Sequence, residues 1–317
     1  MRRLFCFLAA CALLLTACSS EGEIDRSSAS SSSPSSSAVA SAEGENPSAR
    51  APFSLAAYPT YSFHPVLSAS AANLSLAPLL YEGLFTLDSQ FQAQPLLCQS
   101  YYVSEDGLTW TFLLQPGITF SDGTPLTGEV AAQALQTAQA PGSRYAARLA
   151  DVSAIQGSDY QVTLTLTRPN GVLPQLLDIP ISLGTGDRPL GTGPYILTDV
   201  EGDLCLTARA DWHGGSGNLP IQQIALSPMS RTEEQISSFN AGEITLVNAD
   251  LTGSSNLEVS SQYQVWDYPT TQLLYVGFNV QQGLCQDVAL RRAIAQAIDR
   301  EYVSDTIFAR HALPAAL

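Results

Sequence analysis

The chain contains no lysine: its 14 basic residues are all arginines, and they face 29 aspartates and glutamates. Proteins that bind a phosphate backbone neutralise it with clustered lysine and arginine side chains. A net charge of −15 therefore argues against a nucleic-acid partner. The same acidity favours solubility and repulsion from anionic surfaces.

Histidine and cysteine are also scarce, which restricts metal and disulfide chemistry. The three histidines are widely spaced, whereas a zinc-type site draws several histidine or cysteine ligands together. We therefore expect neither a metal nor a cofactor. None of the six cysteines forms a CxxC pair, and the three after residue 18 allow at most one disulfide. Burial as free thiols is the favoured interpretation for Cys98, Cys205 and Cys285.

The motifs of common catalytic sites are missing as well. GxSxG, HExxH, GxGxxG and GxxxxGK[ST] do not occur, so the sequence points to no nucleophile, zinc or nucleotide site. Catalysis is accordingly not expected. A secreted hydrolase is the least favoured function for this chain.

The first 17 residues have the pattern of an export signal peptide. Two arginines follow Met1, and the apolar run Leu4–Ala17 is shorter than the roughly 20 residues of a membrane-spanning helix. The run ends Leu-Thr-Ala-Cys, which resembles a bacterial lipobox, so the Cys18 thiol is predicted to carry the lipid. Two or more acyl chains give stable anchoring, which predicts a cell-membrane protein on the extracytoplasmic face, at the surface or in the periplasm. The alternative is an ordinary secretory signal with a chance cysteine.

Residues 18–50 are dominated by serine, alanine, glutamate and proline. Such a segment cannot bury enough apolar surface to offset the entropy lost on ordering. It is predicted to be a flexible tether between the anchor and a folded part.

From residue 51 onward, strand patterns alternate with helix patterns, which predicts a mixed α/β fold. With 45% hydrophobic residues, the chain can form one large or two smaller domains. The specific predictions are a helix capped by Asn73 or Ser75 and ended by Gly83, a helix after Thr127, strands over Tyr160–Thr167, Glu243–Val247 and Leu273–Asn279, and a helix over Val288–Asp299 capped by Asp287.

Residues 106–127, DGLTWTFLLQPGITFSDGTPLT, predict a hairpin. Leu108, Trp110, Phe112 and Leu114 stand at every second position and give one apolar face, with Trp110 in the core. The turn is expected at the Pro-Gly pair, because proline fixes φ and glycine accepts a positive φ. The predicted strands are residues 108–114 and 118–120.

Four segments, in this order and spacing, resemble family 5 extracellular solute-binding proteins, the peptide- or nickel-type binding components of ABC importers. They are Leu79–Leu84 (LLYEGL), the region from Gln94 to Thr127 that includes the hairpin, Gly191–Tyr195 (GTGPY), and Tyr275–Asn279 (YVGFN) followed by Asp287–Arg300 (DVALRRAIAQAIDR).

The resemblance implies an α/β, two-lobed periplasmic-binding-protein-like fold of type II. The first lobe would comprise residues 51–88 and 187–268, with a small α+β subdomain over 89–186, and residues 269–317 would begin the second lobe. Family chains are longer, so a C-terminally truncated chain is expected, one that exposes apolar faces and is poorly soluble or unstable. In the GTGPY turn, Gly191 and Gly193 are expected to need a positive φ at one or both positions.

The function implied by the resemblance is capture of an oligopeptide or similar solute in the interlobe cleft and its delivery to an ABC permease. The alternatives are a surface receptor for signalling peptides, an adhesin, or a non-functional fragment. The Trp212 ring could stack on a ligand or cover a core edge. The candidate ligand contacts are Ser68, Ser70 and Asn73 after the first strand, Trp212, and Tyr268, Phe278 and Asn279 on the crossing strand.

Overall fold

The computed structural model describes residues 53–248, 259–266, 268, 270 and 272–315. The predicted signal peptide, the lipid site Cys18 and the tether lie outside these residues. None of the helices in the described ranges is long and apolar enough to cross a lipid bilayer.

The described residues form strands, helices and short 3₁₀ turns. The strands are β1 Ser54–Ala57, β2 Phe85–Leu87, β3 Ala93–Pro95, β4 Cys98–Val103, β5 Thr109–Leu114, β6 Val152–Ser158, β7 Gln161–Leu166, β8 Tyr195–Val200, β9 Asp203–Ala208 and β10 Gln223–Pro228. The helices are α1 Ala71–Ser75, α2 Ala77–Leu80, α3 Gly128–Gln139, α4 Glu234–Ala241, α5 Val288–Ala297 and α6 Arg300–Tyr302.

Two four-stranded sheets organise the molecule. The first has the order β1-β10-β9-β8, with β1 parallel to β10 and the other pairs antiparallel. The second, β4-β5-β7-β6, is antiparallel throughout. Each sheet has its own buried cluster: α1 and α2 cover the first, and α3 packs on the second. The mixed α/β prediction is thus confirmed.

The hairpin prediction is correct for one strand and wrong for its partner. β5 forms with Trp110, Phe112 and Leu114 buried, and Gly117 takes the expected positive φ of 81°. Residues 118–120, however, make only an isolated bridge, between Thr119 and Pro125. β5 pairs instead with β4 and β7. The β4–β5 turn lies at Asp106–Gly107, where Gly107 adopts a positive φ of 71°.

The predicted helix before Gly83 is two shorter helices. Ser70, rather than Asn73 or Ser75, caps α1 by accepting the Asn73 N–H at 3.2 Å. Pro78 has no N–H for the ladder and therefore belongs in the first turn of a new helix, α2. α2 ends at the extended Tyr81. Gly83 has another reason for being glycine, since a Cβ there would lie 2.9 Å from the Asp178 carbonyl carbon.

Two predicted strands are wrong. In residues 243–247, the Thr245 hydroxyl accepts a hydrogen bond from the Ser54 N–H at 3.0 Å. The segment therefore runs beside β1, but it does not form a strand ladder. Residues 273–279 are exposed apart from the half-buried Phe278, and they have no strand partner among the described residues. An apolar pattern indicates which side chains could be buried, whereas a strand also needs backbone groups beside it to bond. Helices α3 and α5, by contrast, begin as predicted after Thr127 and Asp287.

The cysteines are free thiols in the described chain. Cys98 and Cys205 are buried, as predicted, and Cys285 is half-buried. Burial raises the pKa of the Cys98 thiol to about 11.

Candidate functional site

The parallel pair β1 and β10 creates the edge at which open α/β sheets bind ligands, because both carboxyl ends lie there. We call residues 58–70, which follow β1, the edge loop. The Tyr58 hydroxyl donates to the Arg231 carbonyl at 3.2 Å and accepts from Gln235 Nε2 at 3.0 Å. The edge loop is therefore joined to the chain that follows β10.

Asn73 is 2% exposed and uses its whole carboxamide to hold the edge loop. Its Oδ1 accepts the Tyr58 N–H at 2.9 Å, and its Nδ2 donates to the carbonyls of Tyr58 and Tyr61 at 3.0 and 3.2 Å. The chain between β1 and α1 thus folds around this amide. In this structure, the side chain of Asn73, a predicted ligand contact, is hydrogen-bonded to backbone groups of the protein itself.

Ser68 and Ser70 are buried in the same hydrogen-bond system. The Ser68 hydroxyl donates to the Ser62 carbonyl at 2.6 Å and accepts the Ser70 N–H at 3.2 Å. The Ser70 hydroxyl caps α1. The structure therefore brings Ser68, Ser70 and Asn73, three of the predicted ligand contacts, together in one hydrogen-bond system.

His64 organises the middle of the edge loop. Its Nδ1 accepts the backbone N–H groups of Val66 and Leu67 at 3.2 and 3.4 Å. Burial lowers the pKa of His64, and the nearby Asp187 carboxylate opposes this by a smaller amount. His64 is not among the site residues predicted from the sequence, although a histidine before proline in a serine-rich loop is a visible signal of a hydrogen-bonded turn.

Tyr268, Phe278 and Asn279 lie on exposed or half-buried chain. The Tyr268 hydroxyl donates to Asn248 Oδ1 at 2.7 Å, and Asn279 Oδ1 accepts from the N–H groups of Gln281 and Gln282. Among the described residues, neither side chain hydrogen-bonds to the edge loop.

Trp212 belongs to a polar group around the buried Glu82 that we call the motif cluster. Its indole Nε1 donates to Glu82 Oε1 at 3.1 Å. The other oxygen, Glu82 Oε2, lies 2.8 Å from both the Thr192 hydroxyl and His213 Nε2. A buried carboxylate needs this density of donors. The motif cluster consists of Glu82, Thr192, Arg209, Asp211, Trp212 and His213.

Arg209 links the motif cluster to the second sheet. Its guanidinium donates to the carbonyls of Thr119, Phe120 and Thr192 at 3.0–3.1 Å and forms two bonds to Asp211. The bond from Arg209 holds the pKa of the Asp211 carboxyl below its usual range. The Thr192 hydroxyl donates to Glu82, and the Thr192 carbonyl accepts from Arg209. Thr192 therefore connects the Glu82 carboxylate to the Arg209 guanidinium.

The motif cluster explains why the family-like segments have their particular residues. LLYEGL supplies Glu82, TFSDGTPLT supplies the carbonyls that Arg209 binds, and GTGPY supplies Thr192. The expected positive φ at Gly191 and Gly193 is wrong, because neither glycine has one. A Cβ on Gly191 would lie 1.9 Å from the Leu80 carbonyl oxygen, and close packing is therefore the reason for glycine.

In the described ranges, no group of three or more histidine, cysteine, aspartate and glutamate side chains is arranged to hold a metal ion. The hydrogen bonds of the motif cluster fit a structural joint, whereas the edge loop lies at the carboxyl ends of the parallel strands β1 and β10.

Comparison with known proteins identifies the family. Residues 92–316 match the family model described as bacterial extracellular solute-binding proteins, family 5 Middle. The chain belongs to this family. As a family 5 protein, it is a member of a group of extracytoplasmic solute-binding proteins.

A curated relative of this family 5 protein is the glutathione-binding protein GsiB of Escherichia coli O1:K1 / APEC. The two are 27% identical over 260 residues, which cover 76% of this chain and 50% of the relative. The chain spans about half the length of the curated relatives it matches.

Solved structures support the fold of the family 5 protein. The ABC transporter substrate-binding protein CtaP from Listeria monocytogenes matches with a TM-score of 0.60 at 21% identity, over 79% of this chain and 55% of that one. HbpA2 from Haemophilus parasuis matches with 0.57 at 20% identity, over 79% and 57%. The predicted two-lobed periplasmic-binding-protein-like fold class is thereby confirmed.

Proposed function

We propose that this chain belongs to the substrate-binding component of an ABC importer, which captures an oligopeptide or similar solute and passes it to a permease. The observation that carries the proposal is the family match over residues 92–316. The edge loop at the carboxyl ends of β1 and β10 supplies a surface of the appropriate kind. The mechanism is closure around the solute, without covalent chemistry.

Small peptides are the proposed solute class. The relative GsiB is a glutathione-binding protein, and the family resemblance in the sequence is to peptide- or nickel-type binders. Nickel complexes are a weaker candidate, because the three histidines of this chain are widely spaced in sequence.

Thermal unfolding of the 317-residue protein with a panel of solutes tests the proposal. A bound solute at about 100 times its Kd stabilises the native state by about 2.7 kcal/mol, so Tm rises. We expect a rise with di- to pentapeptides or glutathione. Absence of a shift across peptides, sugars and metal chelates would contradict solute capture.

The proposed contact residues are the seven identified from the sequence. Tyr268 is the most informative to substitute, because it is 63% exposed and its removal disturbs little packing. Loss of an aromatic contact and a hydroxyl should weaken solute affinity about tenfold in Tyr268→Ala. Tyr102→Ala, a similarly exposed tyrosine on β4, is the matched control and should bind as the parent does. Equal affinities for all three proteins would remove Tyr268 from the site.

The membrane anchor and the domain boundaries complete the proposal. Cys18 carries the lipid and holds the protein at the extracytoplasmic face, residues 18–50 form the tether, and the boundaries are those predicted from the resemblance. The two separate sheets, each with its own buried cluster, support a subdomain over residues 89–186. Intact-mass analysis of protein from bacterial membranes checks the lipid, and Cys18→Ala should release the protein from the membrane fraction.

A further inference from the structure

His64 is a buried titratable group whose bonds require one protonation state. It is 2% exposed, and its Nδ1 accepts two backbone N–H groups, from Val66 and Leu67. An imidazole nitrogen accepts a hydrogen bond only while it carries no proton. Both bonds therefore need the neutral ring with its proton on Nε2.

The rest of the edge loop depends on the turn that His64 holds. The His64 N–H donates to the Ser62 hydroxyl at 3.0 Å, and the His64 carbonyl accepts the Ser68 N–H at 3.1 Å. Ser68 in turn holds Ser70, the cap of α1, through the Ser70 N–H. The imidazole ring thus holds Val66 and Leu67, and the backbone of the same residue joins this turn to Ser68 and Ser70, two proposed solute contacts.

Asp187 acts on the His64 ring by its charge, and Arg188 lies beside the neighbouring Phe63. The Asp187 carbonyl accepts the Phe63 N–H at 2.7 Å, so its carboxylate lies close enough to favour the protonated ring. Arg188 lies 6.0 Å from the Phe63 ring centroid and is paired with Asp199 at 3.0 Å. Burial of His64 is the larger effect and lowers its pKa.

The direction of the pH effect follows from that lowered pKa. With a folded pKa below the unfolded value of about 6.5, the opened loop binds the proton more tightly than the closed loop. The order that His64 gives is therefore fully present above about pH 6.5 and is lost as the pH falls through the lowered pKa.

We propose that His64 is a positioning residue that makes the edge loop sensitive to acid: the neutral ring orders residues 64–70, and protonation releases them. The regulatory meaning, weaker solute capture in acid, rests on the function proposed above. The loop transition itself does not depend on that function and is measured without any solute.

Hydrogen exchange of the Val66 and Leu67 amides, followed in the full chain between about pH 5 and pH 8, tests the proposal. In the parent protein, the protection factors should fall about tenfold on acidification, with a midpoint below about pH 6.5. His64→Asn supplies a carboxamide oxygen that can accept the same N–H groups and does not titrate, as in an Asx turn. Its protection should be independent of pH. His64→Ala should be unprotected throughout.

His311→Asn, at an exposed histidine elsewhere in the chain, is the matched control and should keep the pH step of the parent. Protection that stays constant with pH in the parent would overturn the proposal, as would an unchanged step in His64→Asn. If His64→Ala does not fold, the comparison of the parent with His64→Asn still decides. Solute titration of the same proteins at pH 8 separately tests the importer function.

Discussion

The Asn73 carboxamide takes the place of water for backbone groups that the fold buries. Asn73→Leu has a similar volume and no polar atom, so it leaves the Tyr58 N–H and the Tyr61 carbonyl without their partner, while the Tyr58 carbonyl keeps the Tyr61 N–H. At about 1–3 kcal/mol for each unsatisfied group, the free energy of unfolding should fall by about 2 kcal/mol or more. Denaturant unfolding measures this loss. Ser75→Ala, which removes an exposed hydroxyl from the same helix, should change it by less than about 0.5 kcal/mol.

Gly191 tests close packing at the scale of one methyl group. A Cβ there would overlap the Leu80 carbonyl oxygen at 1.9 Å, and the neighbouring Gly193 bonds the same oxygen through its N–H at 3.0 Å. Gly191→Ala should therefore destabilise the protein by about 3 kcal/mol, measured by denaturant unfolding. Gly171→Ala, where a Cβ meets no atom within 4 Å, is the matched control. Equal stability of the two variants would show that the turn at Gly191 accommodates a methyl group without loss of stability.

Individual residues are predictable from sequence where they act on their immediate neighbours. Thr127 and Asp287 cap helices α3 and α5 through N–H groups two or three residues ahead. Glu82 and His213 are 131 positions apart, so local reasoning could not pair them. A glutamate inside the apolar run LLYEGL was nevertheless a signal of a buried, bonded carboxylate.

Among whole elements, the alternating strand β7 and the alanine-rich helix α3 follow from local pattern alone. The error at residues 118–120 arose because a strand's partner is chosen by the rest of the sheet. Strand β4 was not predicted, for a different reason. It is an edge strand that is buried only at Cys98, so its sequence shows little alternation of apolar and polar residues.

Arg209 connects two elements of the fold: its side chain joins the chain after β9 to the Thr119–Phe120 segment after β5. Its side chain is 1% exposed, and Arg209→Met would take a donor from the carbonyls of Thr119, Thr192 and Phe120, the last of which keeps the Gly123 N–H. At about 1–3 kcal/mol for each carbonyl left unsatisfied, we expect a loss of about 2–5 kcal/mol in the free energy of unfolding, measured with denaturant. Arg168→Met breaks an exposed pair with Asp151 and should cost no more than about 1 kcal/mol. A similar small loss at Arg209 would mean that other contacts join the two sheets.

At the scale of the molecule, the alternation of strand and helix patterns predicted only a mixed α/β protein, and the two-lobed fold came from the order of four resembling segments. Those segments meet mostly in the motif cluster, which joins parts of the fold rather than facing the edge loop. Sequence similarity to the family therefore reports the framework more strongly than the solute. This is why the fold was predictable, while the contact residues remain proposals.

The exposed apolar row at residues 272–280 yields the last prediction. Leu274 and Val276 are 79% and 60% exposed, and contiguous apolar surface promotes association. We expect the 317-residue chain to self-associate and the double variant Leu274→Asp, Val276→Asp to sediment as a monomer at the same concentrations. Since these side chains bury little surface, the free energy of unfolding should change by less than about 0.5 kcal/mol. Val172→Asp, at a side chain 55% exposed elsewhere, should associate like the parent. Unchanged association of the double variant would assign self-association to another surface.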